Sequence, residues 1–256
     1  MTAAMPAGLV RDKLRAGLIH LGISACIVGA VGALMLMAWY PQPWFQHDGG
    51  WTVYRLILLV DVVLGPLLTV IAYRRNKPGL KRDLGIIAAL QLGALAFGVT
   101  TMLQHRPVFV VFAENNFFTV SWKEVHAATQ DTARIDALAS AAWSRELPLV
   151  FLQLPADPAR RAALRHIQDS GGPPVPAQGD HYEAMNDAHW TAVLALASNI
   201  EGLARGDPDI RAELERFRAG HPGPLEAFAF LPVVCRSGVL MLAFDRKTRA
   251  LIGWME

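Results

Sequence analysis

The sequence predicts a membrane protein, a three-helix transmembrane bundle followed by a C-terminal α+β extracytoplasmic domain with strands at both ends of its sequence. Three observations carry this. The 256 residues are 53% hydrophobic and only 18% charged, whereas about 25% of residues carry charge in ordinary soluble domains. Three apolar runs, each close to the ~20 residues a helix needs to cross a bilayer, lie at 16–40, 51–73 and 84–103. From Gln104 onward the charge density rises and Gly and Pro punctuate shorter apolar segments.

The first run extends to Trp39-Tyr40-Pro41 without a small-residue cleavage site, and two more runs follow. It therefore reads as a retained anchor and not a signal peptide. Arg11, Lys13 and Arg15 precede it, and residues 74–83 between the second and third runs (RRNKPGLKRD) carry five basic residues. Residues 41–50 (PQPWFQHDGG) contain no Lys or Arg. Because basic residues near span ends stay on the cytoplasmic side, the N-terminus (1–15) is expected to be cytoplasmic. Residues 104–256 are then periplasmic in a bacterium with two membranes. Trp39, Tyr40, Trp44 and Trp51 fit an interfacial aromatic belt. The net charge of +2 divides into +5 before Gln104 and −3 after it, which gives no reason to expect a nucleic-acid partner. Two cysteines, Cys26 and Cys235, make no disulfide framework.

In the outer domain, residues 108–112 and 117–122 flank Glu114-Asn115-Asn116 and predict a β-hairpin. Helical spacing follows over 131–143, and a strand is expected in 147–154. Asp157-Pro158 starts a helix through Ile167, GGPPVPAQG (171–179) reads as a mobile loop, and helices are expected over 188–205 and from Asp207-Pro208 to about Ala219. Strands return at 227–235, 238–244 and 250–254. Exposed edges of the two hairpins would suit β-augmentation, but strand order is not readable from sequence.

The stretch 58–117 resembles the type IV pilin accessory protein family of the TfpX/TfpZ type. The matching residues are Asp61 with Leu64-Gly65-Pro66-Leu67-Leu68-Thr69, Lys81 with Asp83-Leu84, and Gln91 with Ala94-Leu95 and Gly98. Arg106-Pro107-Val108, Trp39-Tyr40-Pro41 and the turn Asp245-x-Lys247-Thr248 also fit. The resemblance implies a multi-pass bacterial inner-membrane protein that helps its cognate major pilin accumulate and assemble into type IV pili, as an accessory factor or chaperone. It brings no catalytic residues and no cofactor. Residues 155–223 match no motif of the family.

Within the spans, Asp61 stands out, since an ionised carboxylate at mid-membrane costs roughly 2.5–3.5 kcal/mol on insertion scales and usually faces protein or water. Asp61, Gln91 and Ser24 lie 12, 7 and 8 residues from the inner ends of their runs, so at ~1.5 Å per residue they are within about two turns in depth. Three roles are open to Asp61: an internal hydrogen bond that sets the packing, recognition of a partner helix, or a proton pathway. Type IV pilins insert through an apolar N-terminal helix carrying a Glu and a charged amine, a suitable match for the second role. Gly65-Pro66 predicts a bend. Ala25, Gly29 and Ala33, and Gly85, Ala89 and Gly93, form two small-residue stripes that permit close helix approach, at least one of them expected inside the bundle.

Other motifs mean less. Asp169-Ser170-Gly171-Gly172-Pro173 copies a serine-protease signature without a companion His motif, and is read as a helix end with a Gly stop. His181, Glu183, Asp187 and His189 match no common metal spacing, and Cys235 reads as a small core residue. No enzyme is expected. The expected partners are a major pilin and the lipid bilayer, and the domain could also form a homo-oligomer. The rival reading, a membrane-anchored periplasmic sensor or scaffold, would have to signal through another membrane protein, because the inner segments are so short.

Overall fold

The computed structural model describes residues 7–140 and 147–256, and the chain divides into two compact units. One comprises residues up to Pro41 together with Gly49–Gln104. The other joins Gln42–Asp48 to His105–Glu256.

Among the described residues, the first unit has three helices long and apolar enough to span a membrane, Gly8–Trp39, Gly50–Ala72 and Leu80–His105. The first begins nine residues earlier than the apolar run predicts, at Ala7, because Lys and Arg are good helix formers and extend the helix through Arg11, Lys13 and Arg15. Lys13 donates to the Ile71 carbonyl of the second helix (3.2 Å). Just before Gly65-Pro66 the structure has a π-helical turn over Leu59–Leu64, where the Gly65 N–H donates to the Val60 carbonyl, five residues back. In that register the Asp61 carbonyl would pair with residue 66, but proline has no N–H. Pro66 thus leaves one backbone acceptor open in the middle of the second helix.

Among the described residues, the second unit is built on a seven-stranded mixed sheet. Its strands are β1 (Pro107–Ala113), β2 (Asn116–Ser121), β3 (Leu149–Leu152), β4 (Tyr182–Ala184), β5 (Phe228–Cys235), β6 (Gly238–Asp245) and β7 (Leu251–Met255), in spatial order β4-β3-β1-β2-β5-β6-β7. β1 and β2 form the expected hairpin, and Glu114 and Asn115 both take positive φ (48° and 71°) in a two-residue turn. Such turns match the twist of paired strands. Both strands lie inside the sheet, β1 beside β3 and β2 beside β5, each in parallel. Among the described residues, the second hairpin therefore ends on an edge strand, β7, and the first does not; the opposite edge is the three-residue β4.

β1 is buried along its whole length, which explains an unbroken apolar run in place of alternation. Val110 and Phe112 enter a cluster with Phe117, Trp190, Leu231, Val233 and Phe244. Phe109 and Val111 point the other way, into a cluster with Val120, Val125, Ile135 and Tyr182. A third cluster seats helices Ile200–Gly206 and Pro208–Gly220 on Phe230, Ala243 and Met255.

Several expectations change in detail. The helix predicted over 188–205 is two helices, Asp187–Ala195 and Ile200–Gly206, separated where Asn199 caps the second through the Gly202 N–H (3.0 Å). The helix predicted for 131–143 is seen as Thr132–Ser140, and 141–143 lie outside the described residues. The 171–179 segment is not a loose loop: Val175, Pro176 and Ala177 are buried in a 3-10 turn, and Tyr182 donates to the Pro176 carbonyl (2.7 Å). A short helix, Trp122–Ala128, starts in a capping box in which Ser121 and Glu124 satisfy each other's backbone N–H. Gln42–Asp48, counted by sequence with the membrane region, belongs to the sheet unit, where Trp44 is part of the core.

Candidate functional site

In the helical unit the two amide donors of Gln91 sit where the second helix is short of donors. Gln91 Nε2 lies 3.3 Å from the Asp61 carbonyl and 3.3 Å from Asp61 Oδ1. The side chain thus supplies the hydrogen bond that Pro66 cannot. It reaches this position because residue 65 is glycine, for a Cβ there would stand 2.0 Å from Gln91 Nε2.

Asp61 is only 6% exposed, and its Oδ2 has no hydrogen-bond partner among the described residues. The carboxyl lines a cleft of about 170 Å³ between the first and third helices. His20, Ile23, Ser24, Ile27 and Val28 form one wall, and Ala88, Gln91, Leu92 and Leu95 form the other. His20 Nδ1 is hydrogen-bonded to buried Thr69 (2.6 Å). The cleft is a largely apolar slot, and the unmatched Asp61 oxygen is buried in its wall. A buried polar oxygen without a donor is costly, and a ligand group that donates would recover that cost.

Asp61, Gln91, Ser24, Gly65 and Pro66 thus meet in one place. Gly29, Gly85 and Gly93 do not. All three are exposed, with open space where a Cβ would stand, so neither small-residue stripe packs inside the bundle. Close approach occurs instead at Gly17 against Val70, at Gly32 beneath Tyr54 and at Gly98 against Ile57. The reason is that bulky Val70, Tyr54 and Ile57 need recesses, and these fall on a helix face different from the four-residue stripes. Tyr54 then donates to the Val28 carbonyl (3.2 Å).

The sheet unit has a second polar site that sequence reasoning missed. Asp48 is 5% exposed, and its Oδ1 accepts from the Thr119 hydroxyl (2.6 Å) and the Arg236 backbone N–H (3.2 Å). Burial holds its carboxyl above the usual range, against the pull of those donors. The neighbouring Cys235 thiol is pushed up to about 12, first by burial and then by Asp48, so it is a poor nucleophile. The signal available in sequence was an acidic residue in a loop otherwise rich in aromatics, which is a weak one.

The remaining motifs resolve into ordinary structure. Asp169-Ser170-Gly171 ends a helix, with Gly171 at φ 84° and the Gly172 N–H returning to the Ile167 carbonyl (2.9 Å). His189 lies 3.5 Å from Glu183, while Asp187 pairs with Arg249. Among the described residues no group of three or more His, Cys, Asp or Glu side chains could hold a metal.

Among the described residues, three helices long and apolar enough to span a membrane, with a polar cluster set among them, and a helix-plus-sheet domain define the class of this chain. Comparison with known proteins narrows this. Residues 8–49 match the family model described as fimbrial assembly protein FimB. Over 97 residues, 37% of this chain, the sequence is 35% identical to the fimbrial assembly protein of Dichelobacter nodosus serogroups C1 and C2, covering 73% of that protein. It is 35% and 36% identical to the serogroup I and serogroup E1 proteins of the same organism over stretches that cover 37% of each. No solved structure matches the chain. The chain belongs to the fimbrial assembly protein family.

Proposed function

We propose that this protein is a non-enzymatic accessory factor of type IV pilus assembly that holds the apolar helix of its major pilin beside Asp61 and stabilises or delivers the subunit. The names of its relatives support a role in fimbrial assembly. The unmatched Asp61 Oδ2 in an apolar cleft is the observation that carries the partner. Apolar walls suit a pilin helix, and the oxygen suits a donor carried on it, such as the N-terminal amine. The three helices anchor the chain in the bacterial inner membrane. The basic residues at 11–15 and 74–82 support a cytoplasmic N-terminus and a periplasmic sheet domain, in which β7 would give the pilin head an edge to pair with.

Co-purification of the tagged protein with the major pilin tests this. Asp61→Asn keeps an acceptor for Gln91 but places an amide donor where the free oxygen stood. Pilin recovery is expected to fall at least about tenfold, the equivalent of one charge-assisted hydrogen bond, at unchanged protein level. Full recovery with Asp61→Asn would reduce Asp61 to a packing role, and absence of pilin from the wild-type eluate would overturn the function.

A further inference from the structure

We propose that the polar cavity around Asp48 binds the headgroup of a phospholipid bearing a primary ammonium, of the phosphatidylethanolamine kind, with the ammonium on Asp48 and the phosphate on Arg236. The cavity, about 250 Å³, lies wholly in the sheet unit and is lined by Asp48, His105, Thr119, Glu124, Cys235 and Arg236 among others.

Its unmet hydrogen-bonding capacity defines the ligand. Asp48 Oδ2 and His105 Nδ1 are buried without partners among the described residues. Glu124 is already engaged, its Oε2 accepting from the Ser121 N–H (2.8 Å) and its Oε1 from Arg236 Nη2 (3.3 Å). Two carboxylates against one guanidinium favour a cation that can donate. A primary ammonium offers three N–H groups and satisfies Asp48 Oδ2 together with His105 Nδ1 as acceptor. A trimethylated ammonium offers none. Arg236 is 42% exposed at its side chain, and a guanidinium has five N–H donors, so after one bond to Glu124 it can also take a phosphate oxygen.

The location favours a lipid as the source, and this step rests on the membrane reading above. Asp48 precedes the second apolar helix by two residues and His105 ends the third, so at most about 7 Å of chain separates Asp48 from the start of a span. Headgroups lie at that level.

Native mass spectrometry of the purified full-length protein in mixed micelles of phosphatidylethanolamine, phosphatidylcholine and phosphatidylglycerol tests the assignment. Phosphatidylethanolamine is expected to be retained about tenfold over phosphatidylcholine, with the preference lost in Asp48→Asn and total retention lowered in Arg236→Met. Equal retention of the two lipids, a preference that survives Asp48→Asn, or a cavity holding only water overturns the proposal. Should Asp48→Asn not fold, Arg236→Met decides, since its side chain is partly exposed, and unchanged retention there counts against the site. Soluble O-phosphoethanolamine raising the melting temperature as much as the lipid would assign the cavity to a free aminophosphate instead. No pilin is present in the assay, so its failure leaves pilin capture standing, and failure of pilin capture leaves this result standing.

Discussion

Replacing Gly65 with alanine will displace Gln91 and destabilise the helical unit by about 1–2 kcal/mol, the upper part of the range for interhelical hydrogen bonds in membranes. The added Cβ would lie 2.0 Å from Gln91 Nε2, and that amide is the end of a flexible side chain, so it will swing away. The steric cost is then small, but the Asp61 carbonyl and Oδ1 lose their donor. Pro66 cannot replace it, and in the membrane location proposed above no water would reach that carbonyl. Gln91→Ala removes the same two bonds. The Gly65→Ala, Gln91→Ala double variant is therefore expected to melt in detergent no lower than either single variant. Additive losses would show that Gly65 and Gln91 act independently.

In the sheet unit the largest effect is expected at Phe117. Its side chain is fully buried, with ring centroids 5.1 Å from Phe112 and 5.5 Å from Phe244. It stands on β2 opposite Val233 of β5, where the N-terminal hairpin meets the C-terminal strands. Phe117→Ala is expected to cost about 3–5 kcal/mol, out of a typical total of about 5–15 kcal/mol. The β2–β5 pairing joins parts of the chain more than a hundred residues apart, so its loss would release both halves of the sheet. Limited proteolysis should show a domain cut readily at temperatures where the wild type resists. Phe97→Ala, on the third apolar helix at 76% exposure, serves as the control and should leave the pattern unchanged. Equal resistance of Phe117→Ala would contradict the packing described.

Local features of this fold are legible in its sequence, and long-range meetings of residues are not. Hydropathy shows the three apolar helices because a bilayer-length run is a one-dimensional signal, and the Glu114-Asn115 turn is legible because the flanking β-rich runs are adjacent. The depth arithmetic brings Asp61, Gln91 and Ser24 together because helical rise is constant. What it cannot show is rotation about each helix axis, which is why Gly29, Gly85 and Gly93 turn outward while Gly17, Gly32 and Gly98 receive the large side chains. The π-helical turn has a local cause in Pro66, but the donor that completes it comes from thirty residues away. The Asp48 site joins residues 48, 119 and 236, a meeting set by strand order, which no local pattern encodes.

Site-specific photocrosslinking in a piliated strain tests the central claim most directly. Leu92 lines the cleft beside Asp61 and is 62% exposed, whereas Phe97, on the same helix, is similarly exposed but is not part of that wall. With a photoreactive phenylalanine at each position in turn, position 92 is predicted to crosslink to the apolar helix of the major pilin and position 97 is not, and Asp61→Asn is predicted to abolish the crosslink at 92. Crosslinks of equal yield from both positions, or none from 92, would contradict the assignment of the Asp61 cleft as the pilin-holding site.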